Sequence, residues 1–281
     1  MVEDPKRSAE FVEALAKGIA VIECFDAAHP DMTLSEIARR VGLSPAAARR
    51  SLITLSALGY VGSAGKRFFL KPKVMTLGSG FYFAARIDEI LLPELRQIVE
   101  THGDAASVAM LDGHDVIYIA HHSTQRARRA TAVVGARYPA HATSLGRVLL
   151  AGLPKSELER YFARVEPKAL TSRTVTDKNA LRALIDEAGE RGYATTVDQL
   201  DYGITALAVP IRNAEGKVTA AVNSSGYSGL ISPDQMVTDR LGDLRVAAGR
   251  ISAAAARTPA LSAPLNGKGS RRDCAGFARP V

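Results

Sequence analysis

Residues 44–55 read SPAAARRSLITL. A serine and a proline open the stretch, small side chains follow, then two adjacent arginines, and the large apolar residues come late. That order suits a helix whose first turns meet nucleic acid. Small residues let the backbone approach base edges, alanine methyls can touch thymine methyls, and arginine can bond guanine or phosphate. Ser44, Ala46, Ala47, Arg49, Arg50 and Thr54 are the candidate DNA contacts on this segment, while Leu52, Leu55 and Leu58 are predicted to face the domain core. Lys66 and Arg67 lie in a Gly/Ser-rich turn, from which they would reach a flanking phosphate or the minor groove.

The charge distribution points the same way. Between Thr33 and Lys73 there are eight Lys/Arg and one acid, Glu36, which gives +7 and equals the formal charge of the whole 281-residue chain. The other 240 residues hold 28 basic and 28 acidic groups and cancel. A basic segment on a balanced chain is the electrostatic footprint of a nucleic-acid contact. A solvated basic face is the competing reading.

A second group of polar residues suits a small anion. YPAHATSLG places Thr143 and Ser144 just before a predicted helix start, with Arg137 close by in sequence. Free backbone amides at a helix N-terminus accept an anionic group. Asn223–Gly226 (NSSG) closes an apolar strand, VTAAV, with polar side chains. Strand-end polar groups and a helix start can converge on a carboxylate, and ordinary turn chemistry is the alternative. His114, His121 and His122 cluster loosely, but adjacent residues of a strand point to opposite faces, so no metal site is expected. The sequence holds no phosphate-binding glycine loop, dinucleotide fingerprint, zinc-protease helix or serine nucleophile elbow. No enzymatic activity and no cofactor are expected.

The elements that would position these residues follow from periodicity and punctuation. Residues 11–28 have helical apolar spacing and stop before Pro30. In TLSEIARRVGLS, Thr33 and Glu36 form a capping box and Gly42 ends the helix. Ser44 caps the next helix with Pro45 at its first position, and it runs to about Leu58 with Gly59 as its stop. Two helices joined by a short glycine turn make a helix-turn-helix. YVGSAGKRFFLKP then reads as a β-hairpin, a basic wing. Residues 73–102 read as helical, with Pro93 allowing a break, and supply a linker and dimerisation helix in which Phe81–Phe83 can pack on a partner.

From Asp104 the pattern is mixed. ASVAMLDGHDVIYIAHH is a hairpin with its turn at Asp112-Gly113, and ATAVVGARYP offers another strand. Helices are predicted at SLGRVLLAGL, PKSELERYFAR and NALRALIDEAGERGY, strands between Ala194 and Gly226, and a last helix from Pro233 to about Ala256. The segment from Thr258 is rich in Pro, Gly and Ser and is expected to be disordered. The fold class is α+β: a winged helix-turn-helix over 1–71, a linker helix over 72–92, an effector-type domain with an antiparallel sheet over 93–256, and a tail over 257–281. Cys24 reads as a core thiol and Cys274 sits in the tail, so one bridge is conceivable but no disulfide framework. No window approaches ~20 continuous apolar residues and the N-terminus lacks a secretory pattern, so a cytoplasmic protein with no membrane partner is expected.

The order of these parts resembles the IclR family of bacterial transcriptional regulators over roughly residues 10–256. LSEIARRVGLS with AAARRSLITLSALGYV, then GARYPAHATSLGRVLLA, then ERGYATTVDQLDYGITALAVPIRNAEGKVTAAVNSSG carry the resemblance. It implies a GAF-like effector domain, a double-stranded DNA operator, a small organic acid as signal, and a homodimer or dimer of dimers. By position in the family pattern the effector site falls on Ser144, Leu145, Thr196, Ala206, Asn223 and Ser225, with Arg137, Thr143 and Thr205 added by adjacency. AAARRSL, the TSLGRVLLA run, AVP and AAVNSS are most similar to the Pca/Pob subgroup, which regulates the β-ketoadipate pathway and aromatic-acid catabolism. Departures lie near the expected site: Tyr138–His141 where many members read LPAY, and DQLD at 198–201 where they read DQEL. A small-molecule enzyme with an incidental basic segment and a sequence-independent DNA-compacting protein are the competing functions.

Overall fold

The computed structural model describes residues 10–124 and 133–263. They form two compact units that divide between Gly80 and Phe81, inside the stretch read as a linker.

The first unit opens with α1 (Glu13–Glu23), β1 (Asp31–Thr33), α2 (Leu34–Arg40) and α3 (Pro45–Ala57). The Thr33–Glu36 capping box is present: Thr33 Oγ1 accepts the Glu36 N–H, and the Glu36 carboxylate accepts the Thr33 N–H at 2.7 Å. Gly42 takes φ +65° in the turn, as a residue without Cβ can. Ser44 Oγ then accepts the Ala47 N–H, with Pro45 in the first turn. β2 (Val61–Ala64) and β3 (Arg67–Leu70) form the expected hairpin, and β1 adds a third strand in the order β1-β3-β2. Val21, Met32, Ile37, Leu52, Leu55 and Val61 fill the core.

Three expectations for this unit need correction. α1 ends at Glu23, well before Pro30, because Asp26 accepts the His29 N–H at 2.8 Å and turns the chain earlier. β1 is too short to show as a period. Leu58 is 52% exposed: it caps α3, and the positive φ of Gly59 turns the chain away before its side chain reaches the core.

The predicted helical run 73–102 is three helices, preceded by a 3-10 turn at Pro72–Val74. These are α4 (Met75–Ala84), α5 (Ile87–Ile90) and α6 (Leu92–His102). Arg86 breaks the run with φ +49°, and Pro93 sits in the first turn of α6, where its missing N–H costs nothing.

The second unit is built on a six-stranded antiparallel sheet. In chain order its elements are β4 (Ala105–Asp112), β5 (Asp115–Ser123), β6 (Arg137–Pro139), α7 (Ser144–Ala151), α8 (Lys155–Arg164), α9 (Lys178–Arg191), β7 (Ala194–Val197), β8 (Ile204–Arg212), β9 (Val218–Tyr227), α10 (Pro233–Ala255) and α11 (Pro259–Ser262). The strand order is β6-β5-β4-β9-β8-β7. Alternating side chains feed two cores. Val108, Leu207 and Val222 pack with Leu95 of α6 and Leu244 of α10. Ala109, Ala208 and Ala221 pack with Leu149 of α7 and Ile185 of α9. α7 sits tightly on the 3-10 turn Ala140–Ala142: a Cβ on Gly146 would lie 2.1 Å from the Ala140 carbonyl oxygen.

Of ATAVVGARYP, only Arg137–Pro139 is a strand among the described residues, and residues 125–132 lie outside them. NSSG lies within β9 rather than beyond its end. Thr258–Ala263 is not disordered. Leu261 is buried in the α6–α10 core and the Asn213 side chain donates to the Ser262 carbonyl, so a hydrophobic anchor outweighs the Pro-rich composition. The expected tail from residue 264, with Cys274, lies outside the described residues.

Candidate functional site

α3 shows which side chains of SPAAARRSLITL face outward. Ala48, Leu52 and Leu55 are buried, and Ala46, Arg49, Arg50, Ile53 and Thr54 are exposed. The exposed set recurs at helical spacing and forms one outward stripe beginning in the first turn. Ala47 belongs to the buried side, so its methyl packs inward and is not available to a base. Ile53, 59% exposed in mid-stripe, was not singled out in the sequence. An apolar side chain among arginines can meet a thymine methyl.

The eight cations of residues 33–73 divide into two sets. Arg40 pairs with Asp26. Arg67, expected on the DNA backbone, is engaged by Asp31 at 2.5 Å and by Glu36 at 3.7 Å, and it also donates to the Asp31 carbonyl. Lys73 donates to the Leu58 carbonyl at 2.8 Å and lies over the Tyr60 ring. These three tie the wing and helices together. Arg39, Arg49, Arg50, Lys66 and Lys71 are exposed and make no ion pair or hydrogen bond through their charged groups among the described residues. Lys66 stands at the tip of the β2–β3 hairpin. Arg39, on α2, was not singled out in the sequence.

The second unit encloses a cavity of about 450 Å³ between the sheet and the N-terminal end of α7. Its floor is two cross-strand rows fixed by register. One runs Thr196, Ala206, Ser225, Ala105, and the next runs Asn223, Ser107, His121. Alanines keep the floor low and leave space above it, and the polar residues line that space. The Ser107 N–H donates to Asn223 Oδ1 at 3.0 Å, which commits the oxygen and leaves the Asn223 amide NH2 as the donor. Ser107 Oγ lies 2.9 Å from His121 Nδ1. Burial, with His122 adding to it, holds the His121 pKa below its usual value, so the ring is neutral near pH 7. Tyr118 and Tyr138 meet edge to face at 5.1 Å on the cavity wall, and burial pushes the Tyr118 hydroxyl upward.

At the helix end, Thr143 Oγ1 caps α7 by accepting the Gly146 N–H at 2.9 Å. Ser144 follows at the first helical position and lines the cavity, and its buried Oγ has no hydrogen-bond partner among the described residues. A buried hydroxyl without a partner is costly, so a ligand atom that completes it is strongly favoured.

Thr143, Ser144, Thr196, Ala206, Asn223 and Ser225 thus come together around one cavity. The other three predicted residues do not. Arg137 is held outside the lining by Asp112 at 2.7 Å and Asp115 at 3.4 Å. Leu145 is buried in the core beneath α7. Thr205 points to the opposite sheet face, toward Met236 of α10, because neighbours on a strand alternate. Ser107, Tyr118, His121, Gln199, Leu200 and Leu230 were missed.

Gln199 is positioned from behind. Arg147 is buried, and its guanidinium donates to the Gln199 side chain at 2.6 Å and to the Thr195 and His141 carbonyls at 3.3 Å. Burial lowers its pKa to about 10, which still leaves it charged at neutral pH. Arg147 therefore fixes the segment that brings Gln199 and Leu200 to the cavity.

An outward basic stripe on one unit and an enclosed polar cavity in the other match two family patterns. Residues 14–64 match the IclR helix-turn-helix domain, and residues 84–253 match the bacterial transcriptional regulator IclR C-terminal domain. The chain belongs to the IclR family of bacterial transcriptional regulators. It is 37% identical over 228 residues to the Pca regulon regulatory protein of Pseudomonas putida, covering 81% of this chain and 78% of that one. It is 29% identical over 244 residues to the p-hydroxybenzoate hydroxylase transcriptional activator of Acinetobacter baylyi, covering 85% and 90%. Among solved structures, an IclR homologue from Microbacterium hydrocarbonoxydans complexed with 4-hydroxybenzoate superposes with a TM-score of 0.70 at 27% identity, over 85% of this chain and 98% of that one. No described helix is long and apolar enough to cross a membrane.

Proposed function

We propose that this IclR-family regulator controls genes of aromatic-acid breakdown and that a small aromatic or ring-opened acid in the sheet–α7 cavity is its signal. The carrying observation is the buried Ser144 Oγ without a described partner at the N-terminal end of α7, in a cavity whose floor offers the Asn223 amide. A carboxylate supplies the acceptors both groups need, and the helix end favours its charge. The likeness to regulators named for the Pca regulon and for p-hydroxybenzoate hydroxylase supports the pathway.

On the DNA side, Ala46, Arg49, Arg50, Ile53 and Thr54 face the base edges, and Ser44, Arg39, Lys66 and Lys71 hold the flanking phosphates. A homodimer, alone or paired again, presents two α3 helices to half-sites about 34–36 Å apart or multiples of that. The ligand regulates by binding one arrangement of the assembly better than another.

The test is a thermal-shift panel on the full chain with protocatechuate, 4-hydroxybenzoate, cis,cis-muconate, β-ketoadipate, benzoate and glyoxylate. A ligand at 100 times its Kd stabilises the native state by about 2.7 kcal/mol. A shift with one of the first five, abolished by Asn223→Ala, is the expected result. A shift with none of them, or one that Asn223→Ala leaves intact, removes either the ligand class or the site.

A further inference from the structure

We infer that the Ser107–His121 pair is a specificity device that reads a hydroxyl group on the effector's ring, so that this chain distinguishes hydroxybenzoates from benzoate. The inference rests on the aromatic-acid reading above and deepens it.

The cavity has two polar ends. One is the N-terminal end of α7, where Ser144 lines the cavity together with Asn223 of β9. The other is on β5, where His121 stands at the end of the row Asn223, Ser107, His121. β9 and β5 are separated by β4, two strand spacings or roughly 10 Å. A carboxylate held by the Asn223 amide, with the ring lying along the Asn223–Ser107–His121 row, places the ring's far side toward His121. The edge-to-face Tyr118–Tyr138 pair gives that side of the cavity an aromatic wall.

His121 suits a hydroxyl for a specific reason. Its Nδ1 is committed to Ser107 Oγ, and no described residue hydrogen-bonds its Nε2. If Nδ1 carries the proton and donates to Ser107, Nε2 accepts, and a phenolic O–H is the matching donor. The ring is neutral near pH 7, so in that tautomer the acceptor is present, and in the other Nε2–H donates to the oxygen of the same hydroxyl. Ser107 is locked by the bond from its own N–H to Asn223. The groups that orient the carboxylate and the group that reads the hydroxyl are thus one connected chain, Asn223–Ser107–His121. A ligand without the hydroxyl leaves Nε2 desolvated and unpaired, which is how a hydrogen-bonding site rejects an analogue that lacks the group.

The experiment is titration calorimetry of the full chain with 4-hydroxybenzoate, 3-hydroxybenzoate and benzoate, and with adipate as a flexible dicarboxylate. Wild type is expected to bind one of the hydroxybenzoates roughly tenfold or more tightly than benzoate. His121→Phe and Ser107→Ala should each reduce that preference to about twofold while benzoate still binds, and retained benzoate binding shows that the variant is folded. Equal affinity for benzoate and both hydroxybenzoates in wild type, or a preference that survives both substitutions, overturns the inference and leaves the aromatic-acid reading standing. Binding of adipate but of no aromatic acid overturns the inference and leaves the ring-opened-acid branch of the reading above standing, and binding of none of the four overturns the inference.

Discussion

The two units use the same residue type in opposite ways. In the first, Arg39, Arg49 and Arg50 are exposed, with no hydrogen bond or ion pair through their guanidinium groups among the described residues. In the second, Arg147 and Arg240 are buried and their guanidinium groups are bonded. Arg240 of α10 reaches Ser224 at 2.9 Å, Asp104 at 3.1 Å and the His102 carbonyl at 3.4 Å. The exposed arginines of the first unit hold no part of the fold together through their guanidinium groups, which leaves them open to the proposed DNA contact. Buried and bonded arginines act on the molecule itself: Arg240 ties β9, α10 and the start of β4 together, and Arg147 places the Gln199 segment. Arg67 shows that exposure alone does not make the distinction, since it is exposed but already paired to Asp31 and Glu36.

Substitutions separate the two kinds of arginine. The largest expected effect is on stability. Arg240→Met strands the Ser224 hydroxyl and the Asp104 carboxylate, and chemical denaturation should show a loss of about 3 kcal/mol. No loss would mean that Arg240 is as dispensable as a surface arginine.

Arg50→Ala should do the reverse. DNA affinity should fall roughly tenfold or more, while the unfolding free energy stays within about 0.5 kcal/mol of wild type. A comparable loss of stability would place Arg50 in the architecture and remove it from the DNA face.

Arg39→Ala and Lys66→Ala sharpen the contrast within the first unit. If each meets one phosphate, the slope of log affinity against log salt should become shallower by about 1 per contact. Arg67→Ala should give the smallest change, leaving that slope where it is because its guanidinium is occupied by Asp31 and Glu36. A slope change as large as that for Lys66 would show that the ion pairs open on DNA.

The parts legible in the sequence were those written locally. Caps, glycine turns and helical spacing marked α2, α3 and the wing, since each signal is satisfied within a few residues: Thr33 with Glu36, Ser44 with Ala47. Thr143 and Asn223 were legible for the same reason, at a helix start and on a strand that turns from apolar to polar. Residues that depend on long-range register were not. The Asp112-Gly113 turn alone would pair Ser107 with Ala120 and send His121 to the other face. A bulge between Val108 and Ala109 shifts the register by one and pairs Ser107 with His121 instead. Thr205 and Ala206 are adjacent in sequence, but only Ala206 faces the cavity. Arg137 next to a predicted anion site suggested a ligand, and the acids that claim it, Asp112 and Asp115, became visible only once β6 was laid against β5.

DNA recognition by α3 is tested most directly by selecting bound sequences from a pool of random DNA duplexes with the full chain and with Arg49→Ala/Arg50→Ala. Wild type should enrich a two-part site whose halves are one helical turn or a multiple of it apart, and the double variant should lose that enrichment. Binding of all duplexes alike, with a steep salt dependence and no enriched site, would contradict recognition by α3.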